Sequence, residues 1–269
     1  MTSLSHIKNL ILDADGVLWK GNTPMPGLVE FFDTLRSLDI GFTIATNNAT
    51  KTATMYTERF KGYGVDMPPE QVVTSAEATA SYLREEYPAG TRVYSVGTTG
   101  LNEALEAQEF TLVSEDEAFN GAQAEVVVAG FNPHATYRLM AMGAHLINQG
   151  ARFIGTNPDP SFPSEMGPLP GAGALLAFIQ AGTGVKPTTI GKPGPIMFQQ
   201  ALKRLGGTLE NTAMVGDRLT TDILGANNAG LNTILVLSGV SKLEDVKIQN
   251  IKPNYIFTDI REITTELQQ

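Results

Sequence analysis

Short apolar segments with the composition of β-strands alternate with amphipathic segments over most of the chain. The apolar run Leu10–Leu12 is followed by a helical segment at residues 27–38, and the next apolar segment is 41–45. One face of the helical segment carries apolar side chains, namely Leu28, Phe31, Phe32, Leu35 and Leu38. Alternating strands and helices are typical of a parallel sheet covered by helices. The sequence therefore predicts an α/β fold whose core is a Rossmann-like, doubly wound parallel sheet.

A second set of alternating segments interrupts the first. Residues 91–97, 124–130 and 151–156 are strand-like, and helical segments separate them. This middle region has enough apolar residues for a core of its own, so we expect a smaller α/β domain inserted into the larger one. The predicted boundaries are 1–82 for the first part of the core domain, 83–183 for the inserted domain and 184–269 for the second part of the core.

Charge and composition narrow the kinds of chemistry that are open to this chain. The 269 residues carry a net charge of −9, which argues against binding to nucleic acid or to an anionic membrane. There is no cysteine, so disulfides, thiolate metal sites and cysteine nucleophiles are excluded. The histidines, His6, His134 and His145, are scattered, which disfavours a zinc site or a histidine-driven triad. The absence of a bilayer-length apolar run and of a signal segment predicts a cytoplasmic location.

Two carboxylates follow the first apolar strand. Asp13 and Asp15 are separated by one residue, so they leave the strand end on roughly the same side. Like charges held close together raise each other's pKa unless a cation lies between them. Either residue alone could be an ordinary turn residue. As a pair, they indicate a metal site, a proton-transfer role or both.

Polar residues also follow three further strand-like segments. They are Thr46, Asn47 and Asn48 after the second, Lys192 after the third, and Asp217, with Asp222 five residues on, after the fourth. The carboxyl ends of parallel strands meet at one edge of a sheet, where ligands bind. Each cluster by itself could be a loop or a helix cap, but their coincidence at four strand ends favours one shared site. Carboxylates, an ammonium group, a hydroxyl and amides suit Mg²⁺ together with an anion that has tetrahedral oxygens.

These residues resemble the four motifs of the haloacid dehalogenase-like (HAD) phosphatases. Residues 13–17 resemble motif I, 46–48 motif II, Lys192 motif III, and Gly216-Asp217 with Asp222 motif IV. The insertion, together with the segments DADGVLW, ATNNAT, TNPD and VGDRLTTDILGANNAG, is most similar to the NagD/p-nitrophenyl phosphatase branch with a type IIA cap. The likeness covers essentially the whole chain. A small departure is Thr220-Thr221, where many relatives have an acidic residue.

The resemblance implies a Mg²⁺-dependent phosphomonoester hydrolase that acts on small phosphorylated metabolites through an aspartyl-phosphate. Asp13 would be the nucleophile, and Asp15 would act first as the acid and then as the base. The Asp13 carboxylate, the backbone carbonyl of Asp15 and Asp217 would hold the metal, with Asp222 in support. The implied phosphate-binding side chains are Lys192, Thr46, Asn47 and Asn48.

The resemblance also implies that the inserted domain is a lid that selects the substrate. Asn157 and Asp159 would face the substrate, although an Asx turn is an equally ordinary role for these two residues. Trp19 would either border the leaving group or pack between neighbouring elements. The same resemblance allows a homodimer.

Two alternatives would bind or accept a phosphoryl group without turnover. A receiver-like regulatory domain also combines aspartates, a Thr and a Lys on such a sheet, but the position of Asp15 and the domain-sized insertion argue against it. A nucleotide-binding protein is the second alternative, although residues 97–100 (GTTG) lack the full glycine-rich fingerprint. Multiple-turnover release of phosphate would distinguish a phosphatase from both.

Overall fold

The computed structural model describes residues 3–164 and 166–269. Its strands are, in chain order, β1 (Asn9–Leu12), β2 (Trp19–Lys20), β3 (Thr23–Pro24), β4 (Gly41–Thr46), β5 (Val72–Thr74), β6 (Arg92–Val96), β7 (Thr111–Val113), β8 (Val126–Ala129), β9 (Arg152–Gly155), β10 (Ser161–Ser164), β11 (Gly167–Pro170), β12 (Thr188–Thr189), β13 (Thr212–Gly216), β14 (Asn232–Val236) and β15 (Tyr255–Phe257). Its α-helices are α1 (Leu28–Ser37), α2 (Ala53–Gly62), α3 (Ser75–Glu86), α4 (Thr99–Ala107), α5 (Glu115–Phe119), α6 (Tyr137–Asn148), α7 (Ala172–Thr183), α8 (Pro195–Leu205), α9 (Leu224–Ala229), α10 (Leu243–Gln249) and α11 (Ile260–Leu267). A 3₁₀ turn covers Pro69–Gln71, and a π-helical turn covers Leu219–Ile223.

The chain forms two compact units. The first contains the residues up to Thr46, Ala53–Val73 and Lys192–Gln269, and the second contains Asn47–Thr52 and Thr74–Gly191. The second unit therefore extends beyond the predicted range 83–183 at both ends, and it includes the short segment after β4. Its role as a lid stays a prediction.

The first unit contains a sheet with the strand order β15-β14-β13-β1-β4-β5. The pairings from β15 to β4 are all parallel. The chain moves outward from β1 to β4 and β5, and then returns to the other side of β1 through β13, β14 and β15. This reversal between β1 and β13 creates a crevice at the carboxyl ends of the strands, which is where such sheets bind ligands. The predicted fold class is confirmed.

The second unit has its own parallel sheet, in the order β12-β9-β8-β6-β7, and an antiparallel hairpin formed by β10 and β11. The position of β12 differs from the expectation for the strand before Lys192. The strand that precedes Lys192 was predicted to belong to the core sheet, but β12 pairs with β9 in the second unit. Lys192 instead begins the return of the chain to the first unit, three residues before α8.

Helix ends follow the local sequence closely. Thr74 caps α3 by accepting the Glu77 N–H, and the Glu77 side chain accepts the Thr74 N–H in return. Gly230 ends α9 in the left-handed conformation that glycine adopts readily. In α1 the predicted apolar face is buried except for Leu38, which is 43% exposed because the helix ends at Ser37.

No helix within the described part of the chain combines the length and the apolar character needed to cross a membrane.

Candidate active site

Three carboxylates and one ammonium group meet at the crevice of the first sheet. Asp13, Asp217 and Asp222 each offer an oxygen, and these oxygens lie within 4.8 Å of one another. The Lys192 Nζ atom is 2.5 Å from Asp13 Oδ1 and 2.7 Å from Asp222 Oδ1. Lys192 and Asp222 are each only 2% exposed. The first unit therefore concentrates its buried charge at the point where the strand order reverses.

Parallel pairing of the two central strands brings the first two carboxylates together. Leu12 is paired with Val215, and the Asp13 N–H donates to the Val215 carbonyl at 2.9 Å. Asp13 follows β1 directly and Asp217 follows β13 directly, so both leave the same edge of the sheet. Although each carboxylate comes from a different part of the chain, the register of the strands makes them neighbours.

The π-helical turn supplies the third carboxylate. Asp222 lies within this turn, and its Oδ2 accepts the backbone N–H of Arg218 at 3.1 Å. A side chain at position 216 would overlap Asp222, so the close approach requires Gly216. Asp222 was expected to support the metal ligands from behind, and here it also forms an ion pair with Lys192.

A loop after β14 holds Asp217, and the sequence analysis missed this loop. The Val240 N–H donates to Asp217 Oδ2 at 2.7 Å, and the Ser241 N–H donates to the Asp217 carbonyl at 3.0 Å. A Cβ at Gly16 or at Gly239 would overlap the Asp217 carboxylate. Gly16 also has a φ of +87°, which favours glycine independently. The sequence signal for this loop was weak, because it consists of one glycine, Gly239, shortly after an apolar strand.

Burial and mutual repulsion set the protonation of these groups. Burial raises the pKa of Asp13 well above its usual value, and the charges of Asp222 and Asp217 add to this effect, while Lys192 opposes it. Burial, reinforced by Asp222, raises the pKa of Asp217 to about 6. Burial alone would lower the pKa of Lys192, but Asp13 and Asp222 raise it above its ordinary value. Lys192 is therefore a permanent cation that only partly neutralises the three carboxylates.

The donor set fits a hard divalent cation. It consists of carboxylate oxygens that are close enough to share one ion, without nitrogen or sulfur ligands among the three residues. A cation there would relieve the repulsion that raises the pKa of Asp13 and Asp217. Asp13, Asp217 and Asp222 are thus the residues that could hold a metal.

Asp15 is exposed, and its carboxylate is not one of the three whose oxygens come together. Its Oδ1 accepts the indole N–H of Trp19 at 2.9 Å. The Trp19 side chain is fully buried, with its ring centroid 4.9 Å from that of Phe60 and 6.0 Å from that of Tyr56. The ring therefore packs within its own unit, and a contact between Trp19 and the leaving group stays a prediction. The packing alternative is the one observed.

Thr46 is buried at the end of β4 and hydrogen-bonds Tyr56. The other predicted substrate residues contact one another within the second unit. Asn47 Nδ2 donates to Asp159 Oδ2 at 3.0 Å, and Asn157 Nδ2 donates to the Asn47 carbonyl at 2.8 Å. Asn157 also forms the Asx turn considered above, since its Oδ1 accepts the Asp159 N–H at 3.1 Å. Asn48 Oδ1 accepts the backbone N–H of Thr50 at 2.9 Å. Binding of substrate by these residues stays a prediction.

Comparison with known proteins identifies the family. Residues 10–111 match the sequence profile of the haloacid dehalogenase-like hydrolases, and residues 189–263 match a second HAD-hydrolase-like profile. An acid sugar phosphatase of Staphylococcus aureus is 41% identical over 266 residues, which cover 99% of this chain and 100% of the relative.

Solved structures agree over the whole length. NagD from E. coli K-12 superposes with a TM-score of 0.87 at 37% identity, covering 95% of this chain and 98% of NagD. A glycerol phosphate phosphatase from Mycobacterium tuberculosis, solved in complex with magnesium, has a TM-score of 0.89 at 32% identity, covering 100% of this chain and 80% of that protein. The chain therefore belongs to the haloacid dehalogenase-like hydrolases, and within them it is a NagD-like phosphatase.

Proposed function

We propose that this protein is a Mg²⁺-dependent phosphomonoester hydrolase that acts on phosphorylated sugars through an aspartyl-phosphate at Asp13. The observation that carries the proposal is the buried cluster of Asp13, Asp217, Asp222 and Lys192 at the crevice of the first sheet. The sugar phosphate class is supported by the 41% identical relative, which is named an acid sugar phosphatase. Magnesium is supported by the oxygen-only donor set and by the magnesium complex of the glycerol phosphate phosphatase.

Asp13 and Asp15 divide the reaction into two displacements. An Asp13 oxygen forms a bond to phosphorus while the bond from phosphorus to the sugar oxygen breaks, and Asp15 gives its proton to that oxygen. Asp15 then removes a proton from a water molecule, whose oxygen bonds to phosphorus as the bond to Asp13 breaks. Inorganic phosphate leaves, and both aspartates return to their starting states.

Charge neutralisation is the other requirement of phosphoryl transfer. Lys192 touches Asp13 and keeps its positive charge, so it lowers the repulsion between the nucleophile and the phosphate oxygens. Bound Mg²⁺, held by Asp13, Asp217 and the backbone carbonyl of Asp15 with support from Asp222, would supply further positive charge there. Thr46, Asn47 and Asn48 are the proposed phosphate-binding side chains, and Asn157 and Asp159 are proposed to contact the sugar.

Release of inorganic phosphate tests this function directly. With Mg²⁺ and a panel of hexose, pentose and glycerol phosphates, the purified chain is expected to release many phosphates per protein molecule. EDTA should stop the reaction, and excess Mg²⁺ should restore it. Release of one phosphate or less per protein molecule on every ester would instead support a receiver-like or binding role. Turnover that is insensitive to EDTA would contradict the metal requirement.

Magnesium is also expected to stabilise the protein, and more strongly at neutral than at acidic pH. Below a pH of about 6, the Asp217 carboxyl of the metal-free protein carries a proton that a cation must displace. At a Mg²⁺ concentration of about 100 times Kd, the melting temperature should rise by about 5–10 °C at a pH of about 7.5, and by clearly less at a pH of about 5. Differential scanning fluorimetry measures both shifts. Equal shifts at the two pH values would contradict this linkage, and Asp217→Asn should reduce both.

A further inference from the structure

An exposed general acid needs something to hold it, and in this chain that contact comes from a buried tryptophan. Asp15 is exposed, and its Oδ1 accepts the Trp19 indole N–H at 2.9 Å. A free carboxylate side chain samples several rotamers, whereas proton transfer requires it to stay within hydrogen-bond reach of the leaving oxygen. A donor that fixes one carboxylate oxygen therefore restricts where the other one can be.

The backbone places the indole beside the carboxylate. The Leu18 N–H donates to the Ala14 carbonyl at 2.9 Å, and the Gly16 N–H donates to the Trp19 carbonyl at 2.7 Å. The chain thus folds back on itself directly after β1, and Asp15 and Trp19 form a β-bridge. The left-handed conformation of Gly16 makes this reversal possible. As a result, the distance between Asp15 and Trp19 is set by a closed loop of hydrogen bonds.

Helix α2 immobilises the tryptophan ring. The Phe60 and Tyr56 rings pack against it, and the guanidinium carbon of Arg59 lies 4.1 Å from the ring centroid. Arg59 also donates to the Gly21 carbonyl, and the Tyr63 hydroxyl donates to the Asn22 carbonyl at 2.8 Å. The turn between β2 and β3 is therefore hydrogen-bonded to α2 and to Tyr63, the residue that follows it. The Trp19 side chain is thus fully buried, and its N–H meets the carboxylate of an exposed residue.

We propose that Trp19 is a positioning residue for the reaction, and that its indole N–H holds Asp15 in the orientation from which it protonates the leaving oxygen. The inference rests on the proposed function of Asp15 as the general acid. A purely structural tryptophan would contribute packing energy alone, and the Asp15 contact would then only satisfy a buried N–H. The two roles differ in how the enzyme responds to the leaving group.

The leaving group decides how much protonation matters. The ester oxygen of a sugar leaves as a strongly basic alkoxide unless it is protonated. In contrast, p-nitrophenolate is a stable anion that leaves without a proton. The value of kcat/KM reports the steps up to phosphoryl transfer to Asp13, so it contains the contribution of the acid but not the later use of Asp15 as a base. A weakened acid therefore lowers kcat/KM for a sugar phosphate and changes that for p-nitrophenyl phosphate little.

The test compares Trp19→Phe with the wild type on both esters in the presence of Mg²⁺. Trp19→Phe keeps an aromatic ring and removes the N–H, so kcat/KM for the sugar phosphate should fall by about 10-fold or more, a part of the roughly 10²–10⁴-fold that a general acid contributes. The value for p-nitrophenyl phosphate should change little. Phe42→Leu is the matched control, because Phe42 lies in the same buried cluster as Trp19 but packs its ring against Phe32. It should lower the melting temperature and leave the ratio of the two kcat/KM values unchanged.

Replacing tryptophan throughout the chain by benzothienylalanine gives a second variant if Trp19→Phe folds poorly. Trp19 is the sole tryptophan of the sequence, and this analogue keeps the bicyclic shape while sulfur replaces the N–H. The same change in the ratio is expected. If kcat/KM falls equally for both esters, or falls for neither, the positioning role is overturned. Asp15→Asn distinguishes a failure of the positioning role from a failure of the proposed function of Asp15. An unchanged ratio of the two kcat/KM values in that variant would show that Asp15 is not the acid.

Discussion

Asp13→Asn is expected to lower phosphate release from any ester by about 10⁴-fold or more, because loss of the nucleophile removes nearly all of the chemistry. The amide is similar in shape to the carboxylate but cannot attack phosphorus effectively. Burial raises the pKa of Asp13, so its charged form is costly in the folded protein, and a neutral amide should leave the melting temperature within a few degrees of the wild type. The loss would thus be one of chemistry rather than of folding.

Steady-state phosphate release and acid-quench trapping of a labelled phosphoryl-protein measure this effect together. The wild type should yield a phosphorylated chain and Asp13→Asn should not. Asp33→Asn is a suitable control, since Asp33 is a surface carboxylate of α1 whose side chain is 65% exposed. It should retain full activity. Substantial turnover or labelling in Asp13→Asn would mean that another group is the nucleophile.

Local patterns predicted the fold well, because strand and helix periodicities are properties of short segments. The apolar face of α1, for example, was visible as a helical repeat of apolar residues between 27 and 38. The position of β12 was not predictable in this way. This strand has two residues, Thr188 and Thr189, and nothing in so short a segment specifies whether it pairs with the core sheet or with β9.

The candidate site was also predicted only in part, because its side chains leave a pattern in the sequence and its backbone contacts do not. Asp13, Asp217 and Lys192 were predicted to meet because carboxylates and a lysine after apolar strands have a recognisable pattern, and the structure brings them together. The support of Asp217 by Val240 was missed because a backbone N–H donor has no sequence signature. For Trp19, packing and ligand contact predict the same residue type, so the sequence could not choose between them, and the structure shows the packing.

Lys192→Met is expected to have the largest effect on stability. Met fills a similar volume but removes the cation that touches both Asp13 and Asp222. Asp222 is 2% exposed, and a buried carboxylate that loses its cationic partner destabilises a protein by about 3–5 kcal/mol. In Mg²⁺-free buffer at a pH of about 7.5, urea denaturation should show a decrease of this size in the free energy of unfolding. Phosphatase activity should be lost as well.

A double variant separates the charge effect from the loss of the lysine chain itself. Lys192→Met combined with Asp222→Asn removes the uncompensated buried charge, so it should recover part of the lost stability without recovering activity. Lys61→Met, at an exposed position of α2, is the control for the substitution and should change the free energy of unfolding by less than about 0.5 kcal/mol. A loss below about 1 kcal/mol in Lys192→Met is typical of exposed ion pairs. Such a result would mean that solvent, rather than Lys192, compensates the charge of the cluster.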